Sequence, residues 1–231
     1  DLAASYLSEL SNAGVHVTAF DTRRGHGNFF QLNFRNHRKI LVIDGQVGFV
    51  GGHNCGDEYL GRSKQFGYWR DTHLQIRGPA VVQLQATFLA DWIWATDSAP
   101  ALEWNSAPQE GKHHVIVLRT GPADEQDRCL LFFMEMIAAA TKRIWIASPY
   151  FVPDDSIISA LQLAALRGVD VRVLLPARAD HLLVWLASFN YSHQVCWSGV
   201  RLYRYQKGFL HQKVLVMDDD IAAVGTANLD N

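Results

Sequence analysis

The 231-residue sequence predicts an α/β protein of two pseudo-symmetric halves, each a mixed, largely parallel sheet flanked by helices. Three observations predict it. The stretch "HRKILVIDGQVGFVGGHN" from His37 returns as "HQKVLVMDDDIAAVGTAN" from His211, with His, Lys, Asp, Gly and Asn at the same five places. Ahead of each copy run an apolar helical stretch, a Gly and a short alternating strand: "LSNAGVHVTAF" before the first, "QVCWSGVRLYRY" before the second. Finally, "RIWIASPYF" and "VDVRVLL" flank "DDSIISALQLAALRG", whose Asp cap, apolar spacing and terminal Gly168 mark a helix, so the three form a βαβ unit with a sheet buried on both faces.

The elements follow in order. Gly14 stands 23 positions before His37 but Gly199 only 12 before His211, which places an extra loop within "DTRRGHGNFFQLN". Asp44 opens "DGQ" and Asp218 opens "DDD", each a turn between two apolar runs and hence the bend of a hairpin. After Asn54 come a strand in "YWRDTHLQIRG" and a helix from about Pro79 to Thr96, where Val81, Leu84, Phe88 and Trp92 form a core stripe. The Pro-, Ala- and Ser-rich stretch around 99–113 is the linker, between a first half at 1–98 and a second at 114–231. No βαβ unit precedes residue 1 and nothing matches the strand and helix that follow Asn54, so the fold is expected to be truncated at both ends.

Composition narrows the function. With 21 basic against 23 acidic residues the net charge is -2, which gives no sign of a nucleic-acid partner. Cys55, Cys129 and Cys196 are too few and too scattered for a disulfide framework or a zinc cage. No run of about 20 apolar residues could span a bilayer.

The duplicated skeleton carries the chemistry. If "HRKILVI" and "HQKVLVM" are strands, His and Lys at i and i+2 share a face, and two related halves can offer two imidazoles and two ammonium groups to one pocket. Gly51, Gly52 and Gly225 leave room for backbone N–H groups to approach a ligand, and Asn54 and Asn228 add amide donors. Such a pocket suits a phosphodiester. A neutral His attacks phosphorus, a protonated His gives its proton to the departing alcohol, and the lysines balance the phosphate charge. One nucleophile and one acid on opposite sides of phosphorus explain why the skeleton occurs twice. The four cationic groups leave no need for a metal, and no His or carboxylate cluster has metal-ligand spacing. Asp44 and Asp218 suit turn structure and charge orientation equally. His16, His26, His73, His113, His114, His181 and His193 read as ordinary surface or interior histidines. Trp185, Phe189 and Tyr191 in "ADHLLVWLASFNY" read as a substrate-facing wall.

Both stretches match the HxKxxxxDxxxxxxGxxN signature of the phospholipase D superfamily. "GDEYLG", "YWRDTHLQIRGPAV", "SPYFVPDDS", "GFLHQKV" and "GTANLDN" resemble its bacterial cardiolipin synthase branch. The resemblance implies a bilobal fold and cofactor-free, metal-free phosphatidyl transfer, in which one phosphatidylglycerol is held on His, glycerol leaves, and a second phosphatidylglycerol accepts the group. It implies catalytic roles for His37, Lys39, Asp44, His211, Lys213 and Asp218, and phosphate contacts from Lys39, Asn54, Lys213 and Asn228. The residues leave open which His attacks; relatives favour His37. The resemblance further implies a bacterial inner-membrane location, anchoring helices outside this chain and no nucleic-acid partner. Hydrolysis to phosphatidic acid, a superfamily nuclease and a silent scaffold are the rival readings. If the halves act together, His37→Ala and His211→Ala should each lower turnover by about 10²–10⁴-fold, the usual contribution of a positioned acid or base; near-normal turnover in either variant would remove the two-histidine mechanism.

Overall fold

The computed structural model describes residues 3–20, 36–121, 124–178, 180 and 182–230. The extra loop expected within residues 21–33, and with it His26, lies outside the described residues, as does His181. The chain divides into two compact units, one of residues 1–36, 42–47 and 77–117, the other of residues 37–41, 48–76 and 118–231.

In chain order, α1 (Ala4–Asn12) precedes the strands β1 (Ile40–Ile43) and β2 (Val47–Gly51). Between these strands Asp44 and Gly45 both take positive φ, at 51° and 64°, the geometry of a tight two-residue hairpin turn that Asp-Gly favours. A single 3-10 turn at Asp57–Leu60, β3 (Trp69–Arg70) and β4 (His73–Arg77) follow. The sheet order is β1-β2-β4. Next is α2 (Ala80–Thr96), which Pro79 immediately precedes. Val81 and Leu84 of its expected stripe are fully buried, whereas Phe88 is exposed and stacks on Trp92. The stretch expected as a linker has no regular structure; Gln46 and Gln85 hold it through Glu103, Asn105 and Ala107.

The other unit is built on the βαβ segment. Helix α3 (Arg128–Ala139) leads to β5 (Arg143–Ala147) and β6 (Phe151–Val152), then α4 (Asp155–Leu166), β7 (Asp170–Pro176), α5 (Leu182–Cys196), β8 (Arg201–Tyr205), β9 (Phe209–Leu210), β10 (Val214–Met217), β11 (Ile221–Val224) and β12 (Leu229–Asp230). Asp154 caps α4 by accepting from the amides of Ser156 (2.8 Å) and Ile157 (3.0 Å), and Gly168 at φ 90° follows its end. The five-stranded sheet runs β11-β10-β5-β7-β8, with β5, β7 and β8 parallel and β10 antiparallel to both neighbours.

One face of this sheet is core: Ile144, Ile146, Val171, Val173, Leu175 and Leu215 pack with Ile137 of α3, Leu161 of α4 and Val195 of α5. The alternate positions depart from the expected burial on both faces. They carry Arg143, Trp145, Asp170, Arg172 and Arg201, which satisfy one another: the Trp145 ring lies 5.1 Å from the guanidinium of Arg143 and 4.7 Å from that of Arg172, and Asp170 pairs with Arg172 and Arg201. These pairings hold the Asp170 carboxyl down to about 2.

Asp218, at φ 48°, turns the β10–β11 hairpin. Its carboxylate accepts from the backbone amides of Arg143 (2.9 Å), Lys142 (2.8 Å) and Thr141 (3.1 Å) and from the Thr141 hydroxyl (2.8 Å). It therefore anchors the start of β5. These bonds, those of the Arg143 and Lys142 amides foremost, depress its pKa, so its stabilisation is present above the unfolded carboxylate value and fades as pH falls toward the folded one. Asp218→Asn should lower the thermal unfolding midpoint at neutral pH, and the gap to the unchanged protein should narrow steadily below about pH 4. An unchanged midpoint at neutral pH would contradict the anchoring role.

Candidate active site

The second motif sits just ahead of a strand rather than within one. His211, Gln212 and Lys213 fall between β9 and β10, and His37 to Lys39 likewise precede β1. What positions His211 is a cross-pairing of distant segments. Strand β3 pairs with β9 in parallel, Trp69 opposite Phe209 and Arg70 opposite Leu210, and bonds from Phe209 N to Tyr68 O (2.9 Å) and from His211 N to Arg70 O (2.8 Å) run along it. Gly208 permits this approach: at φ 113° it suits only glycine, and a Cβ there would overlap the Tyr68 carbonyl.

The ladder delivers Asp71 to His211. The Nδ1 atom of His211 lies 2.8 Å from Oδ2 of Asp71, whose side chain is wholly buried. Since an ionised carboxylate only accepts, Nδ1 carries the proton, which leaves the Nε2 lone pair available. Asp71 also accepts from the Thr72 amide at 2.8 Å and, at a longer 3.4 Å, from Trp69 Nε1. Burial alone would raise its pKa; the bond to His211, the Thr72 amide and the charge of Lys213 outweigh burial and hold the carboxyl below its ordinary value. For His211 burial wins: desolvation, helped by Lys213, lowers its pKa even though the Asp71 hydrogen bond pulls the other way. The resting imidazole is neutral.

Both motif lysines fold back on their own histidines. Lys39 Nζ donates to the His37 carbonyl at 2.6 Å and Lys213 Nζ to the His211 carbonyl at 2.7 Å. Lys213 is buried; Lys39 is half-buried, its pKa lowered by desolvation while the Asp71 charge opposes the shift. Lys39, His211 and Lys213 thus all lie within the field of Asp71. His37 is exposed and adjoins Lys39 through its carbonyl. Asn54 donates to the Tyr59 hydroxyl at 2.7 Å, and the Tyr59 ring meets His211 edge-on at 6.2 Å. Asn228 is half-buried just before β12, whose Leu229 amide donates to Ser148 Oγ at 3.1 Å. Asp44 and Asp218 stand at the far ends of the strands that follow the histidines, on the order of 20 Å along the chain from them. The carboxylate of Asp218 is turned to β5, not to His211.

The room left by the glycine pair is filled by protein. A Cβ on Gly52 would overlap the Asp71 carboxylate, and one on Gly51 would overlap Thr72 and crowd His73. Sequence reasoning missed Asp71, Tyr59 and Trp69, and took His73 for ordinary. His73 lies half-buried with its ring 5.9 Å from His53, and its Nδ1 is buried without a hydrogen-bond partner among the described residues. The available signal was Asp71 itself, a lone acid in "YWRDTHLQI" between an aromatic strand and the next strand, with no basic neighbour at helical spacing.

Comparison with known proteins places this geometry. Over 79% of the chain the fold superposes on 52% of phosphatidylserine synthase from Haemophilus influenzae Rd KW20, with a TM-score of 0.53 at 15% identity. A family model described as "Cardiolipin synthase, PLD-like domain" matches residues 133–231. Cardiolipin synthase A of Pseudomonas putida (strain GB-1) is 55% identical over 230 residues, and that of Pseudomonas fluorescens (strain SBW25) 54% over 226. These alignments take in 100% and 98% of this chain but 48% and 47% of the relatives, so the chain spans about half the length of the curated relatives it matches. The fold class is the mixed α/β phospholipase D fold. The chain belongs to the phospholipase D superfamily, and within it is similar over its whole length to the cardiolipin synthases.

Asp71→Asn should cost about 10²-fold or more in kcat/KM, since an amide cannot enforce the Nδ1–H tautomer. Removing the carboxylate also removes what raises the His211 pKa, so the acid limb of the pH profile should move to lower pH. A pH–rate profile checks both, and an acid limb displaced to higher pH would contradict the assignment.

Proposed function

We propose that the protein bearing this sequence is a cardiolipin synthase-type phosphatidyltransferase, joining two phosphatidylglycerols into cardiolipin and glycerol at the cytoplasmic membrane of a bacterium. The observation that carries the reading is His211, neutral, with its Nδ1–H donated to the buried Asp71 carboxylate and the ammonium groups of Lys213 and Lys39 acting on the same carboxylate. The family identity over the whole chain supports the lipid substrate.

In this reading the repeats 1–98 and 114–231 act together. Nε2 of His211 attacks phosphorus, and the P–O bond to glycerol breaks as His37, protonated, gives its proton to the leaving oxygen. This reverses the assignment that resemblance favours, because a neutral imidazole fixed through Nδ1 suits attack. A glycerol hydroxyl of the second phosphatidylglycerol then attacks the phosphohistidine, its proton passes to His37, and the P–N bond breaks. Lys39 and Lys213 offset the charge that builds on the phosphoryl oxygens. Asn54 and Asn228 are the matching phosphate-side amides of the two motifs, and Asp44 and Asp218 hold the turns that set the motif strands. No helix among the described residues is long and apolar enough to cross a membrane.

The test is to incubate the natural full-length protein with labelled phosphatidylglycerol in liposomes and resolve the lipids by mass. Cardiolipin with free glycerol is the expected result, with label trapped on His211 in a brief quench. Phosphatidic acid alone would make the enzyme a hydrolase, and label trapped on His37 would exchange the histidine roles.

A further inference from the structure

We propose that Tyr59 selects a polyol over water as acceptor, by donating its hydroxyl proton to an oxygen neighbouring the attacking hydroxyl. The proposal rests on the transferase reading above and concerns its second step, in which water and an alcohol compete for one phosphohistidine.

Tyr59 stands on the 3-10 turn Asp57–Leu60, within the unit that holds His211. Its ring packs on Trp69 with centroids 4.6 Å apart, meets His211 at 6.2 Å and 74°, and lies 6.1 Å from His53. Trp69 in turn lies 5.1 Å from His211. Two rings of the first repeat, Tyr59 and Trp69, thus wall one side of the second repeat's imidazole. Rigid rings fixed on several sides hold a hydroxyl in place at low entropic cost.

The hydrogen-bond arrangement gives that hydroxyl a free donor. Asn54 Nδ2 donates to Tyr59 Oη at 2.7 Å, so the oxygen is used as an acceptor and its proton remains for another partner. Half-burial raises the phenol pKa, against the Asn54 bond and with the charges of Glu58 and Asp71, which keeps that proton in place. A glycerol headgroup carries a second oxygen beside the attacking one; water has none. A site that hydrogen-bonds this oxygen discriminates by the worth of the bond.

The two motifs differ at the same wall. The first reads "GGHN" and the second "GTAN", so Ala227 stands where the first has His53. The shared His, Lys and Asn serve transfer to and from phosphorus, steps that mirror each other. Acceptor choice has no mirror step, and it belongs with residues that only one repeat carries.

In the proposed second step the acceptor oxygen bonds to phosphorus, its proton passes to His37, and the P–N bond returns its electron pair to Nε2. Tyr59 donates one hydrogen bond throughout and loses no proton. It is a specificity-determining residue, and the transfer to His does not require it.

The experiment compares Tyr59→Phe with the unchanged full-length protein on phosphatidylglycerol liposomes, measuring cardiolipin, phosphatidic acid and released glycerol. A parallel competition offers 1,2-propanediol against 1-propanol as soluble acceptors. The phenylalanine keeps the ring stack, so glycerol release should stay within about twofold, while the cardiolipin to phosphatidic acid ratio and the diol preference each fall about 3- to 10-fold, the worth of one hydrogen bond. An unchanged ratio and diol preference would overturn the proposal, as would equal loss of all products, which marks a structural role. If the unchanged protein makes phosphatidic acid and no cardiolipin or diol adduct, the transferase reading itself has failed and takes the proposal with it.

Discussion

A single buried charge organises the site. The Asp71 carboxylate has no solvent contact, and an ionised group so placed costs several kcal/mol unless it is paired and hydrogen-bonded. Its partners come from three directions: the Thr72 amide beside it, the Trp69 indole two residues back, and His211, 140 residues further along the chain. The last of these demands the most architecture. It needs the parallel β3–β9 ladder, the left-handed Gly208 that lets Phe209 reach Tyr68, and the absence of a side chain at Gly52. Each is a backbone condition, and each serves one hydrogen bond.

The large sheet supplies the other coordinate. Strands β5, β7 and β8 are parallel and β10 runs against β5, so Val214 lies opposite Ala147. The residues entering β10 therefore meet the carboxyl ends of the parallel strands, the edge at which open α/β sheets bind ligands. His211 and Lys213 sit there, while Asp218 is at the other edge, tied to the amides that open β5. The shared spacing of the two copies thus measures one strand, with the His and Lys ahead of it and a turn at its far end, which in the second copy Asp218 locks to β5.

Much of this was legible in the sequence. The α4 cap at Asp154, the stop at Gly168 and the β5–α4–β7 unit follow from local rules, because cap, period and terminator all lie within a few residues. The hairpin turns at Asp44 and Asp218 are legible for the same reason. Asp71 was not, since nothing near it in sequence shows that it is buried; its partner is distant and the pairing is set by a two-strand ladder too short to read. The glycine pair was read as leaving room for a ligand, but what fills that room is Asp71, Thr72 and His73. The open face of the sheet departs from the rule for parallel sheets because its charges are paired there, Arg172 and Arg201 with Asp170 and Arg143 with Asp219.

Charge balance explains why the histidine beside Asp71 rests neutral. A carboxylate at 2.8 Å would ordinarily favour the imidazolium, yet burial and the ammonium of Lys213 act against it and prevail. If His211 were protonated, that cation would join Lys39 and Lys213 around one carboxylate, an excess of two positive charges with little water to screen it. Kept neutral, the group of Asp71, Lys39 and Lys213 carries a net charge of about +1. That matches the single negative charge of a phosphodiester. In the proposed attack on phosphorus, His211 would gain positive character beside Asp71, while negative charge would build on phosphoryl oxygens for the lysines to offset. In that step the carboxylate would stabilise the charge-separated state more than the resting one. That differential, rather than the strength of the resting hydrogen bond, is what a buried Asp71 would contribute to the proposed transfer.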